Sequence, residues 1–124
     1  MPGQRLHTLS KEERLSGKTG IDALLGKGRW ASTEDIRYCF LRREEGGLNR
    51  ILVSVPKRSF KRAVRRNLLK RRMREAYRTR KDLLPPCGTD LLMVWSCPEV
   101  KPYEDICAQV GRILQDLSRK ISGQ

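Results

Sequence analysis

The chain has 124 residues, 38% hydrophobic and 33% charged, with a net charge of +13. That composition describes one domain with a modest core and excludes a disordered polyelectrolyte. No apolar run nears the roughly 18 residues of a membrane span, and no secretory signal is visible, so a cytoplasmic protein with no membrane partner is expected.

Residues 1–8 read as a flexible tail on a single domain, 1–124. Ser10 and Glu13 have the spacing of a capped turn. A short helix starts near Thr19, with Ile21, Leu24 and Leu25 on one face, and Gly26 and Gly28 end it. A weak strand signal surrounds Trp30. A stronger one covers Ile36 to Leu41, where Ile36, Tyr38 and Phe40 alternate with Arg37, Cys39 and Leu41. After the turn signal Glu44 to Gly47 comes a second strand, Arg50 to Pro56. The two strands read as an antiparallel hairpin with a long loop.

A long helix is predicted over 62–81, stopped by Pro85, Pro86 and Gly88. Asp90 to Trp95 is a nearly unbroken apolar run, as expected of a strand buried on both faces. Pro102 suits the first turn of a last helix. In it Ile106, Val110, Ile113, Leu114, Leu117 and Ile121 form one apolar stripe. The order α-β-β-(β)-α-β-α implies a two-layer α/β (α+β) fold, a small mixed sheet packed by helices. Strand 50–56, helix 62–81 and strand 90–95 form a β-α-β unit, for which the general rule gives a right-handed crossover.

The charge is concentrated. Residues 57–81 hold thirteen Lys and Arg and a single acid, Glu75, a net of +12, while the other 99 residues carry +1. On a helical projection Asn67, Lys70, Arg71, Arg74, Arg78 and Lys81 share one arc. Val64, Leu68, Leu69, Met73, Ala76 and Tyr77 fill most of the rest. Like charges three and four residues apart repel by a few tenths of a kcal/mol per pair. A solvated charged face usually mixes signs, and this one does not. The pattern points to a polyanion, nucleic acid ahead of an acidic membrane or protein, with DNA and RNA not separated by composition.

Catalytic chemistry is sparse. Asp35 with Glu44 and Glu45, and the pair Glu104 and Asp105, lie at element ends. The lone histidine, His7, is in the tail. Glu104 and Asp105 suit the N-terminus of the last helix. The run Gly26-Lys27-Gly28-Arg29 is too short for a Walker-type loop. Cys39, Cys87, Cys97 and Cys107 form no C-x-x-C and read as buried or half-buried thiols, neither a zinc cage nor a disulfide framework. No catalytic residue and no metal site of the protein's own is assigned.

The stretch from Ala63 to Arg78, AVRRNLLKRRMREAYR, resembles the signature A-V-x-R-N-R-x-K-R-x-x-R-E of the protein subunit of bacterial ribonuclease P. Val53 to Lys57 resembles that family's strand motif, and Glu13-Arg14-Leu15 followed by a short apolar helix also fits. The resemblance spans roughly residues 5–121. It implies a left-handed β-α-β crossover in place of the right-handed one. It also implies binding to a catalytic RNA that removes the 5′ leader of precursor tRNA. Magnesium would act through that RNA, with no cofactor on the protein, no protein catalytic side chain and no DNA partner. By motif match the RNA-subunit contacts are Arg66, Asn67, Lys70, Arg71 and Arg74, flanked by Arg65 and Arg78. The leader cleft is implied at Ile21, Leu25, Arg37, Cys39, Ser54, Lys57 and Arg58. Leu68 stands where the motif usually has Arg, with Arg65 or Arg72 to compensate. The loop 57–62 is one residue longer than usual. The family's cleft aromatics align with Ile21, Leu25 and Cys39, which cannot stack on bases. Trp30 and Trp95 are read as core or edge packing. The alternative is a non-enzymatic structured-RNA-binding protein of ribosomal or RNA-chaperone type.

Overall fold

The computed structural model describes residues 9–122; the tail assigned to residues 1–8 lies outside them. After a single 3-10 turn, Lys11–Glu13, come α1 (Lys18–Lys27), β1 (Arg29–Ser32), β2 (Ile36–Arg42), β3 (Arg50–Ser54), α2 (Ala63–Arg80), β4 (Thr89–Trp95) and α3 (Tyr103–Ser122). A second 3-10 turn, Lys81–Leu83, follows α2 directly. The predicted capped turn is present: the Glu13 carboxylate accepts from the Ser10 N–H at 3.1 Å and from its hydroxyl at 3.0 Å.

The four strands form one sheet in the order β1-β2-β4-β3. β1–β2 and β2–β4 are antiparallel, and β3–β4 is parallel. The expected β-α-β unit is therefore built from neighbouring parallel strands. The expected hairpin of strands 36–41 and 50–56 is not formed, because β4 lies between them. β4 is apolar toward both faces: Leu91, Met93 and Trp95 enter the main core, and Leu92 the opposite side. Such a strand loses least water when both its edges and both its faces are covered, so it takes the interior place. The seven residues 43–49 can reach roughly 23 Å, ample for crossing two strand spacings of about 5 Å. Asn49 secures that crossing. Its side-chain N–H groups donate to the Leu84 and Pro85 carbonyls, and its Oδ1 accepts from the Cys87 and Thr89 N–H, all at 3.1 Å.

α2 and α3 cover one sheet face. Leu69, Met73, Ala76 and Tyr77 from α2, and Ile106, Val110, Ile113, Leu114 and Leu117 from α3, enclose the main core with Ile36, Tyr38, Phe40, Met93 and Trp95. Val64, grouped with the apolar side of α2 in the projection, is 78% exposed. It sits in the first turn, ahead of the stretch that meets the sheet. α1 lies across part of the other sheet face, where Leu15, Leu24, Cys39 and Leu92 make a small second cluster. Gly28 permits this close approach: a Cβ there would stand 2.4 Å from both the Cys39 Sγ and the Leu24 carbonyl.

Candidate nucleic-acid interface

α2 enters from loop 57–62 with no capping side chain at Arg62 and no acid in its first turn. Phe60 anchors the loop in the main core. The Arg66 guanidinium holds it from the helix side, donating to the carbonyls of Phe60 at 2.5 Å and Lys61 at 2.9 Å. Arg66 is thus a half-buried loop clamp as well as a cation. Arg72 is also engaged, donating to the Lys101 carbonyl at 2.6 Å, which turns it toward the start of α3. That leaves Arg65, which is exposed, as the better-placed substitute for the arginine missing at Leu68.

The outer face of α2 carries exposed Arg65, Asn67, Arg71 and Arg74 and half-buried Lys70. Among the described residues, no carboxylate pairs with Arg65, Lys70, Arg71 or Arg74. Arg78 is held by Glu75 one turn back. Lys81, grouped with the arc by projection, lies beyond the helix and contacts Glu13 at 3.0 and 3.1 Å. Burial pushes the Glu13 carboxyl up, but the Ser10 backbone bond and Lys81 outweigh it, so the group ends below its ordinary value. One further cation joins the face. Arg14 lines an open groove with Arg71, Arg74 and Arg78, together with Leu9 and Glu75. The sequence motif around Glu13 contained Arg14 but gave no sign of this neighbourhood, which arises because Arg14 bridges to Ile51 at the edge of β3.

The other sheet face supplies a second surface. Ser54, Val94, Arg37 and Ser32 align across the strands in one row, and Leu52, Leu92, Cys39 and Trp30 in the next. α1 closes over the second row at Leu92 and Cys39 and leaves the first more open. Arg37 is exposed and Ser54 half-buried, while Lys57 and Arg58 are exposed on the loop just past β3. On α1, Ile21 is half-buried and Leu25 is 48% exposed. Cys39 is not a lining residue. It is fully buried, its thiol lies 3.5 Å from the Leu24 carbonyl, and burial pushes its pKa up. The motif match put Cys39 in the cleft because it points to this face, but α1 lies on top of it. Trp95 is core as expected, whereas Trp30 is 44% exposed and belongs to neither buried cluster.

Among the described residues, no three His, Cys, Asp or Glu side chains group to hold a metal ion, and no helix is long and apolar enough to cross a membrane. Asp90, the buried carboxylate of the sheet, is held by Arg43 and by Arg50, whose Nε and Nη2 donate at 2.8 Å. That is a structural tie between β4, β3 and the crossing, not an acid-base pair.

The family model for ribonuclease P matches residues 9–118. The chain belongs to that family. Its fold also matches solved ribonuclease P proteins. Against that of Staphylococcus aureus the TM-score is 0.73 at 20% identity, covering 85% of this chain and 94% of the other. Against that of Thermotoga maritima it is 0.73 at 22% identity, covering 84% and 96%. The ribonuclease P protein components of two Porphyromonas gingivalis strains are 41% identical over 78 residues, 61% of this chain. The matched stretch spans 57% of those relatives' length. The expected mixed sheet and helical layers are thus those of ribonuclease P proteins.

Proposed function

We propose that the chain is the RNA-binding protein subunit of a ribonuclease P. In this reading the outer face of α2 grips the RNA subunit through Arg65, Asn67, Lys70, Arg71 and Arg74, with Arg66 fixing the adjoining loop. The strip beside α1 receives the single-stranded 5′ leader of precursor tRNA at Leu25, Arg37, Ser54, Lys57 and Arg58. Hydrolysis belongs to the RNA with its magnesium ions, in the cytoplasm. The protein contributes charge and position rather than a reacting group. One observation carries the reading: four cations that have no carboxylate partner among the described residues, on the face of a helix whose other side is core. Arginine forks on a rigid helix suit the phosphates of a folded RNA.

Reconstitution tests it. Added to a bacterial ribonuclease P RNA and precursor tRNA at low magnesium, the chain should restore leader cleavage, and alone it should cut nothing. Lys57→Ala with Arg58→Ala should spare affinity for the RNA subunit. The double variant should weaken substrates with long leaders more than those with one or two leader nucleotides. Failure to assist cleavage, with RNA binding intact, would favour a general structured-RNA-binding protein. Equal weakening at every leader length would replace the two surfaces by one unspecific basic patch.

A further inference from the structure

On the sheet face that carries α1, Trp30 is the one accessible aromatic side chain among the described residues. Tyr38, Phe40, Phe60, Tyr77 and Trp95 are buried, and Tyr103 packs against the main core on the far side of the sheet. Register fixes the face: Trp30 stands opposite Cys39, and directly opposed residues of an antiparallel pair point the same way. The indole is not sealed beneath α1. Instead the Arg37 guanidinium carbon sits 4.8 Å from its ring centroid. A guanidinium in that position steadies the ring and adds a positive charge beside it.

Nearby carboxylates are drawn elsewhere. Glu34 is bound by Arg112 of α3 at 2.8 and 2.5 Å, and Asp35 Oδ2 accepts from Gln109 of α3 at 2.7 Å. Asp90, the one acid on this face of the strands, is buried between Arg43 and Arg50. A single exposed apolar side chain is ordinary surface. An exposed indole braced by an arginine, on an acid-poor face that leads through Ser54 to Lys57 and Arg58, is an aromatic-plus-cation arrangement suited to single-stranded nucleic acid. Ile21, Leu25 and Cys39 have no ring to offer, so among the described residues Trp30 on β1 is the one ring available to a base on this face.

We propose that Trp30, braced by Arg37, is a stacking platform for one nucleobase of single-stranded RNA, with the Arg37 charge serving the adjoining phosphate. This rests on the reading that the strip receives the leader, and it adds the residue and the kind of contact. Stacking of this sort tolerates any base, because every base presents a π-face.

The full chain should be titrated with a single-stranded RNA of about eight nucleotides, and with its abasic counterpart, while tryptophan emission is followed. Trp95 is fully buried, so a change in emission reports Trp30. The intact RNA should quench the emission. Trp30→Ala should weaken its binding about five- to ten-fold, and Trp30→Phe, which keeps a ring, about two-fold. Wild-type chain should lose a similar factor on the abasic strand, and Trp30→Ala should not distinguish the two strands. Unchanged emission at saturation, or equal affinity for intact and abasic strands, overturns the platform. If Lys57→Ala with Arg58→Ala weakens binding while Trp30→Ala does not, the platform falls and the leader reading stands. If the wild-type chain binds no single-stranded RNA, both fall.

Discussion

α2 and α3 lie side by side on one sheet face and follow opposite rules. Over its 20 residues α3 carries three acids and three bases. It opens after Pro102 with Glu104 and Asp105, closes with Arg119 and Lys120, and so complements its dipole at both ends. Over its 18 residues α2 carries eight bases and one acid. It opens on an uncapped arginine with no acid in the first turn. Both helices bury an apolar side in the same core. Folding therefore accounts for α3 completely and for only the inner half of α2. The outer half opposes helix formation and needs a partner to explain it.

The largest expected effect separates these halves. Lys70→Ala with Arg74→Ala should weaken binding to ribonuclease P RNA by up to about 3–6 kcal/mol, two charge-assisted contacts at about 1.5–3 kcal/mol each. Screening lowers the figure, since Arg74 is exposed. The plot of log K against log salt should flatten by about one unit per lost contact. Folding stability should hold or rise by a few tenths of a kcal/mol as a repulsive row is thinned. The control is Arg119→Ala with Lys120→Ala on α3, which should leave RNA affinity nearly untouched. Equal losses from the two doubles would erase the contrast between the helices.

The next effect runs the other way. Ile113 is fully buried in the main core. Ile113→Ala should destabilise the fold by about 2–5 kcal/mol through lost burial and the cavity left behind. RNA affinity per folded molecule should stay the same. Urea unfolding, with binding measured well below the midpoint, checks both. A loss of affinity as large as the loss of stability would mean that α3 shapes the RNA surface directly.

What could be read from sequence follows the same division. The helices and the buried strand were legible because periodicity reports which side of an element faces the core, and Met73, Tyr77, Ile113 and Met93 are where their periods put them. The 25-residue charge block was legible because no rule of folding calls for it. Strand order was not, since β2 and β3 are adjacent in sequence and nothing local shows that β4 will come between them. The burial of Cys39 and the exposure of Trp30 on the edge strand were not legible, for one reason. A strand's alternation assigns a face but does not say how far α1 extends over it, and α1 covers Cys39 and leaves Trp30 open. Arg14 was missed because its groove joins residues about sixty apart in the chain.

Acid and alkali should act on the framework and not on the arginines of α2. Arg112 pulls Glu34 down to about 2. Burial pushes Asp116 up, but Lys120 and Tyr38 outweigh it, and Glu13 is lowered in the same way. Carboxyls lowered in the folded state stabilise it above their unfolded values, 4.5 for Glu13 and Glu34 and 3.8 for Asp116, and that stabilisation fades as pH falls toward about 2. Tyr38 is raised to about 12, first by burial and then by Asp116. It keeps its proton in the folded chain while the unfolded chain ionises near 10, so stability should also fall as pH rises from 10 toward 12. Denaturation midpoints across both ranges check this, and Tyr38→Phe should shrink the alkaline loss. Arginine stays charged throughout. A midpoint that is flat on the acid side would mean that the α3 ties at Glu34 and Asp116 add nothing to the fold.

The smallest effect probes the start of α2. Arg62 has extended dihedrals, φ −81° and ψ 123°, and its carbonyl already accepts from the Arg65 and Arg66 N–H groups. It has the backbone of an N-cap without a capping side chain. Arg62→Ser supplies an oxygen for an orphan N–H of the first turn and should stabilise the fold by about 0.5–1 kcal/mol. Arg62→Asp should add a few tenths more by placing a negative charge at the positive end of the helix dipole. Both should weaken RNA binding, the aspartate more, because each removes a cation at the edge of the basic face and the aspartate adds a repelling charge. Thermal unfolding and an RNA titration on the same three proteins give the two numbers. Opposite signs would show that the missing cap is a concession to binding. If Arg62→Ser leaves stability unchanged, the Arg66 clamp on Phe60 and Lys61 already completes this end of the helix, and the contrast with α3 rests on its outer face alone.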